Sequence, residues 1–200
     1  MKTISTFYIA FLLTIMLAAC QSGKGGATSA VADNTQATDT VADTASLNTE
    51  VRLRYEQGVV LNRVKDILDM VKADYMRNGG FLAYDLYDKV FCSKSWNKLV
   101  MDVRRKEHNT GTLFFDVDYW TMTYEPGVFN FDEFEVTTLV LEPQMRASVS
   151  FTVYEAYTYR PARIDLVYED GRWVIDNFHD MKYMTNVRNC MWNYLHTNYI

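Results

Sequence analysis

The sequence predicts an α+β domain in which N-terminal helices pack on a curved antiparallel sheet and a short helix closes the chain. Three observations point there. Apolar residues recur at spacings of three and four up to about residue 106, the mark of amphipathic helices. After His108-Asn109-Thr110-Gly111 the period drops to two and the residues become aromatic and β-branched. Asp170-Gly171 joins two alternating runs as a two-residue hairpin turn, and hairpin strands are antiparallel, which segregates helices from sheet.

The elements follow in chain order. Residues 1–19 carry Lys2, an apolar run from Ile4 to Leu17 and Leu17-Ala18-Ala19 before Cys20, the layout of a secretion signal. The apolar run is too short to span a membrane, which takes about 20 residues. Leu17-Ala18-Ala19-Cys20 resembles a bacterial lipobox, which implies a diacylglycerol on the Cys20 thiol and Cys20 as the first mature residue. With an amide-linked acyl chain as well, such a residue carries enough lipid for stable anchoring. Gln21, where an Asp would signal inner-membrane retention, implies the outer membrane of a Gram-negative envelope. Residues 20–50 then hold Gly, Ser, Thr, Ala, Asp and Gln with a degenerate repeat of Val31-Ala32-Asp33 at Val41-Ala42-Asp43, and read as a disordered linker.

The domain is expected over 51–200, long enough to bury roughly 70% of its extended surface. Val60, Val64, Ile67, Leu68, Val71 and Tyr75 form one helix stripe, stopped by Asn78-Gly79-Gly80. Leu82, Leu86 and Val90 predict a second helix, and Trp96, Leu99, Val100 and Val103 a third, with Ser93 or Ser95 as its cap. Arg104, Arg105 and Lys106 then complement a helix C-terminus, a simpler account than an anion site. Strands are predicted over Leu113–Thr123, Phe134–Leu141 and Met145–Glu155. In the last, Ala147, Val149, Phe151 and Val153 face the core, and Ser148, Ser150, Thr152 and Tyr154 face away. Ile164, Leu166 and Tyr168 alternate before the hairpin, and Trp173 and Ile175 share the core face beyond it. Met184, Val187, Met191 and Leu195 predict the closing helix.

The whole chain is globular in balance, 48% hydrophobic and 14% aromatic, with 20 Lys and Arg against 25 Asp and Glu. A net charge of -5 leaves no basic footprint for a nucleic-acid backbone, so no nucleic-acid partner is expected. His108, His179 and His196 lie far apart on expected loops or ends, and neither His-x-x-x-His nor Cys-x-x-Cys occurs, so no metal or other cofactor is expected. No Gly-x-Ser-x-Gly elbow or phosphate-cradling glycine loop is present. Asp116 and Asp118 at spacing two would share a strand face and could raise one pKa for a general base, or else cap an edge. Asp118 and Tyr119 are therefore the catalytic candidates. Thirteen of the 14 tyrosines follow residue 50, and aromatic rings with a polar tip suit a pocket wall as well as a core. Tyr55, Trp120, Tyr154 and Tyr157 are the ligand-binding candidates. Cys92 and Cys190, the cysteines left to the domain, are expected to pair in an oxidising envelope.

The run Leu166-Val167-Tyr168-Glu169-Asp170-Gly171-Arg172-Trp173-Val174-Ile175-Asp176-Asn177-Phe178, behind a helical front, resembles the nuclear transport factor 2-like superfamily. Within it, residues 50–200 resemble an uncharacterised bacterial lipoprotein family. Asp118-Tyr119-Trp120 stands where those relatives show Asp, a turn residue and an aromatic, and Tyr124-Glu125 replaces a Gln-Asp pair. The resemblance implies a cystatin-like cone whose concave sheet face and helices enclose a pocket, used by some members for acid-base chemistry and by others for binding alone. The function expected is a membrane-anchored binding protein for a small molecule or envelope protein. The alternative is a small pocket enzyme using an Asp with a Tyr.

Overall fold

The first helix is set by its buried stripe. A computed structural model describes residues 37–79, 84–114, 118–122, 128–155, 158–180 and 185–197, and in it α1 runs Ala37–Arg77. Val60, Val64, Ile67, Leu68, Val71 and Tyr75 are all buried, as their spacing requires. Asn78 donates its N–H to the Asp74 carbonyl at 2.9 Å, and Gly79 takes φ +64°, the left-handed stop that favours glycine. The other end differs from expectation. The helix starts at Ala37, inside the stretch assigned to a linker reaching Glu50. That stretch lacks Pro and Gly from Ala37 to Glu50. Extension from a nucleated helix costs little, so a polar run without helix breakers can still be helical. Leu47, Val51 and Tyr55 in this part are exposed.

Two shorter helices follow, α2 (Tyr84–Phe91) and α3 (Lys94–Thr110). α2 is phased differently from the Leu82, Leu86 and Val90 reading. Leu86 and Val90 are exposed, Tyr87, Asp88 and Phe91 are inward, and Leu82 lies outside the described residues. Ring area decides the phase, since Tyr87 and Phe91 bury more than the aliphatics opposite. Ser93 is the cap of α3, its Oγ accepting from the Trp96 N–H at 2.9 Å, and Trp96, Val100 and Val103 are its buried stripe. Asn97 turns back and donates to the Asp88 and Ser93 carbonyls at 2.8 and 2.9 Å, satisfying the end of α2.

The sheet is an antiparallel meander in the order β1-β2-β3-β4-β5: β1 (Phe129–Val140), β2 (Arg146–Glu155), β3 (Thr158–Glu169), β4 (Arg172–Asp180) and β5 (Thr185–Asn186). Ala147, Val149, Phe151 and Val153 of β2, and Ala162, Ile164 and Leu166 of β3, are buried against the helices. The Asp170-Gly171 turn has φ of 50° and 80°, the double left-handed geometry that twists with its strands. A bulge in β4 sets Leu166 against Ile175 but Asp165 against Asn177, leaving Asp176 unpaired between them. Before it, Trp173 and Ile175 face the core; after it, Phe178 does. Irregularities in β1 between Asp132 and Glu135, and again at Val136, bend the sheet further.

The strand expected over Leu113–Thr123 does not form among the described residues. Asp118 Oδ1 instead accepts the N–H groups of Trp120 and Thr121 at 2.9 and 3.1 Å, making a turn that drives Tyr119, Trp120 and Met122 into the interior. Trp120, Trp96 and Tyr119 each pack on Phe178, with centroids 5.0, 5.1 and 5.3 Å away. The hollow between helices and sheet is filled there. The closing helix α4 (Val187–His196) buries Met191 and Tyr194. Lys106 Nζ donates to the Tyr194 and Thr197 carbonyls at 2.6 and 2.7 Å, so of the basic cluster Lys106 complements a helix end, that of α4 rather than its own, while Arg104 pairs with Asp85 and Arg105 with Asp102.

Candidate functional site

Asp88 is the buried carboxyl around which the helical end is organised, and the sequence reading passed over it. It is 2% exposed on the inner face of α2. Its Oδ2 accepts from the Tyr119 hydroxyl at 2.7 Å, its Oδ1 from the Trp120 indole at 3.0 Å, and the Cys92 thiol lies 3.8 Å from Oδ1. Burial raises its pKa above the ordinary carboxyl value, against the pull of the Tyr119 and Trp120 hydrogen bonds. Burial, and then Asp88 itself, push both the Cys92 thiol and the Tyr119 hydroxyl up, so neither ionises readily. The carboxylate partner of Tyr119 is thus Asp88, 31 residues away. Asp118, the catalytic candidate, is spent on backbone N–H groups. Its would-be companion Asp116 lies outside the described residues.

A cleft of about 760 Å³ opens beside this cluster, between α2, α3 and the β3–β4 hairpin. Cys92, Val100, Met101 and Val174 give it an apolar lining. Val174 should face solvent by alternation, yet it is buried, because α2 and α3 lie along the free edge of β4. Their junction is pinned to that edge: Ser93 N–H donates to the Ile175 carbonyl at 2.7 Å, and the hydroxyls of Ser93 and Ser95 meet Asp176 Oδ1 at 2.5 and 2.8 Å. Arg188 of α4 reaches the same oxygen at 3.0 Å. The bulge thus turns Asp176 to the edge, where it joins three elements.

Other sequence candidates are scattered. Trp120 is wholly buried as a donor to Asp88, and Tyr55 is 69% exposed on α1. Tyr154 sits on the outer sheet face with its ring 6.3 Å from that of Tyr159. Tyr157 and Cys20 lie outside the described residues. Cys92 and Cys190 are free thiols and not the expected pair; Cys92 is turned into the Asp88 cluster while Cys190 is half-buried on α4. His108 and His196 are exposed in last helical turns, but His179 is buried on β4 rather than in a loop. Its Nε2 is 2.5 Å from Asp165 Oδ2, and the Ser148 hydroxyl donates to Asp165 Oδ1 at 2.8 Å. Burial opposes ionisation of Asp165, but these bonds and Arg163 hold its pKa below the usual value. Ser148 and His179 both bind the carboxylate and not each other, so no nucleophile is activated. Among the described residues no group of three or more His, Cys, Asp or Glu could hold a metal ion.

The order of these residues in the chain explains what could be foreseen. Asp88 and Tyr119 come from a helix and a turn that no local spacing relates, whereas an Asp on the apolar face of α2 was the available signal. No known protein family, curated protein or solved structure matches this chain.

Proposed function

We propose that this chain is an envelope lipoprotein, anchored by lipid on Cys20 in the outer membrane, whose domain binds a ligand in the cleft between α2, α3 and the β3–β4 hairpin without breaking bonds. The reading of a cone-shaped, nuclear transport factor 2-like domain belongs to the same proposal. One observation carries the preference for binding: the carboxyl that meets a tyrosine hydroxyl, Asp88, is 2% exposed and has both oxygens taken by interior donors. A general base must offer a free oxygen within reach of the substrate proton. The neighbouring cleft, by contrast, is open, apolar-floored and large enough for a small molecule.

A second reading has its own support. Asp88 lines the cleft beside the Tyr119 hydroxyl with a raised pKa, which would suit a small acid-base enzyme if the cluster opened. Native mass spectrometry of the full chain taken from its own envelope separates the two. Binding predicts a co-purifying small molecule that leaves the protein unaltered and is lost in Met101→Trp, which fills the cleft. A molecule converted by the parent and left intact by Asp88→Asn would establish the enzyme.

A further inference from the structure

The cleft carries a charge imbalance that its own residues do not settle. Four acids and five bases line it: Asp85, Asp88, Glu169 and Asp170 against Lys89, Lys94, Lys98, Arg104 and Arg172. Each acid is already engaged. Asp85 pairs with Arg104 at 2.8 Å, and Asp170 with Lys94 at 2.8 Å. Glu169 accepts the Lys94 backbone N–H at 3.1 Å, and Asp88, at the inner wall, accepts from Tyr119 and Trp120. Lys89, Lys98 and Arg172 remain, from α2, α3 and the hairpin in turn. None of the three makes a hydrogen bond or ion pair among the described residues, although Arg172 lies near Asp170.

Two further features point the same way. The first turn of α3 borders the cleft and contains no acid; on the cleft side its Lys94 N–H is met by Glu169, while Asp176 reaches the Ser93 and Ser95 hydroxyls at the β4 edge. Arg63 has its pKa lowered, by burial first and by the like charge of Arg172 next, so the hairpin cation is felt beyond the cleft. All this sits on a chain of net charge -5, where chance would favour an acidic lining.

We propose that the cleft takes a small amphiphilic organic anion, its carboxylate or phosphate at Lys89, Lys98 and Arg172 and its apolar body over Val100, Met101 and Val174. The assignment rests on the binding reading above and names its ligand class. A head group alone would leave the floor bare, and a neutral apolar molecule would leave Lys89 and Lys98 unpaired and Arg172 with only the Asp170 that Lys94 already holds. The three cations come from separate elements, so an anion between them also ties α2, α3 and the hairpin together.

Isothermal titration calorimetry of the full chain with octanoate, octanol and octyltrimethylammonium tests this. Octanoate is expected to bind one per chain and octyltrimethylammonium not at all, with affinity falling as salt rises. Lys98→Gln with Arg172→Gln should weaken octanoate about tenfold or more, since each removes an exposed cation and neither touches the core. If octanol binds as tightly as octanoate and Met101→Trp abolishes both, the cleft stands as a binding site and the anion assignment falls. If none of the three probes binds, or if neither the charge variants nor Met101→Trp alters octanoate affinity, the assignment and the binding reading at this cleft fall together.

Discussion

A single carboxyl can be both a structural keystone and a liability, and Asp88 is placed to be both. Three side-chain groups converge on its two oxygens, so removing it strands the Tyr119 hydroxyl and the Trp120 indole in the interior. Asp88→Asn keeps one acceptor and presents an NH₂ to a donor, which should cost about 1–3 kcal/mol while the parent carboxyl is neutral. The pH dependence has a definite sign. A folded pKa above the reference 3.8 means the folded state holds its proton longer than the unfolded one. The contribution of Asp88 to stability therefore falls as pH rises from about that reference through the folded pKa, and is level beyond it. Urea melts of parent and Asp88→Asn across this range should show the gap between them narrowing as pH rises. A gap that stays constant would mean that Asp88 is as free to ionise folded as unfolded. Asp165 works in the opposite sense: its lowered pKa supplies stability above the reference value that is lost on acidification.

Elements whose burial shows in sequence spacing were legible, and those held by distant polar partners were not. The α1 stripe, the β2 alternation and the Asp170-Gly171 turn each follow from a local rule, and each appears in the fold as the rule requires. The turn at Asp118 and the phase of α2 depend on aromatic rings packing on Phe178 and Trp120, which spacing along one segment does not report. The same holds for the candidate site, where Asp88 and Tyr119 meet only after folding. Arg160 on β3 is another such case. It is buried, pairs with Glu155 of β2 at 3.1 Å and Asp180 of β4 at 3.3 Å, and donates to the Met122 carbonyl in the Asp118 turn. Arg160→Met should cost about 3–5 kcal/mol, since two part-buried carboxylates lose their guanidinium. Arg146→Met, at an exposed site on the next strand, should stay within about 0.5 kcal/mol of the parent. Equal denaturation midpoints for the two variants would show that the Arg160 cluster does not hold the strand ends together.

At the scale of the whole chain, the geometry that matters is the length of α1. With 41 residues, α1 is about 60 Å long, and the segment carrying exposed Leu47, Val51 and Tyr55 precedes the stripe that packs on the sheet. If lipid on Cys20 is the attachment, a stiff helix stands between it and the sheet. Cys20→Ser should then abolish labelling by a metabolic fatty acid and leave unprocessed precursor. Proteolysis ahead of α1 should release a soluble domain with an unchanged melting temperature. Labelled, processed protein from the Cys20→Ser variant would remove the anchor from this account.

The aromatic interior also makes the molecule its own optical instrument. Of the four tryptophans, Trp96, Trp120 and Trp173 are buried, while Trp192 is 55% exposed and stacked on His196. Emission from the native chain should therefore divide into a blue component that a soluble quencher scarcely reaches and a red component that it extinguishes. Because the Trp120 indole donates to Asp88, the blue component is coupled to that carboxyl. Ionisation of Asp88 should therefore shift the Trp120 share of that emission against the background of Trp96 and Trp173, readable without attaching any dye.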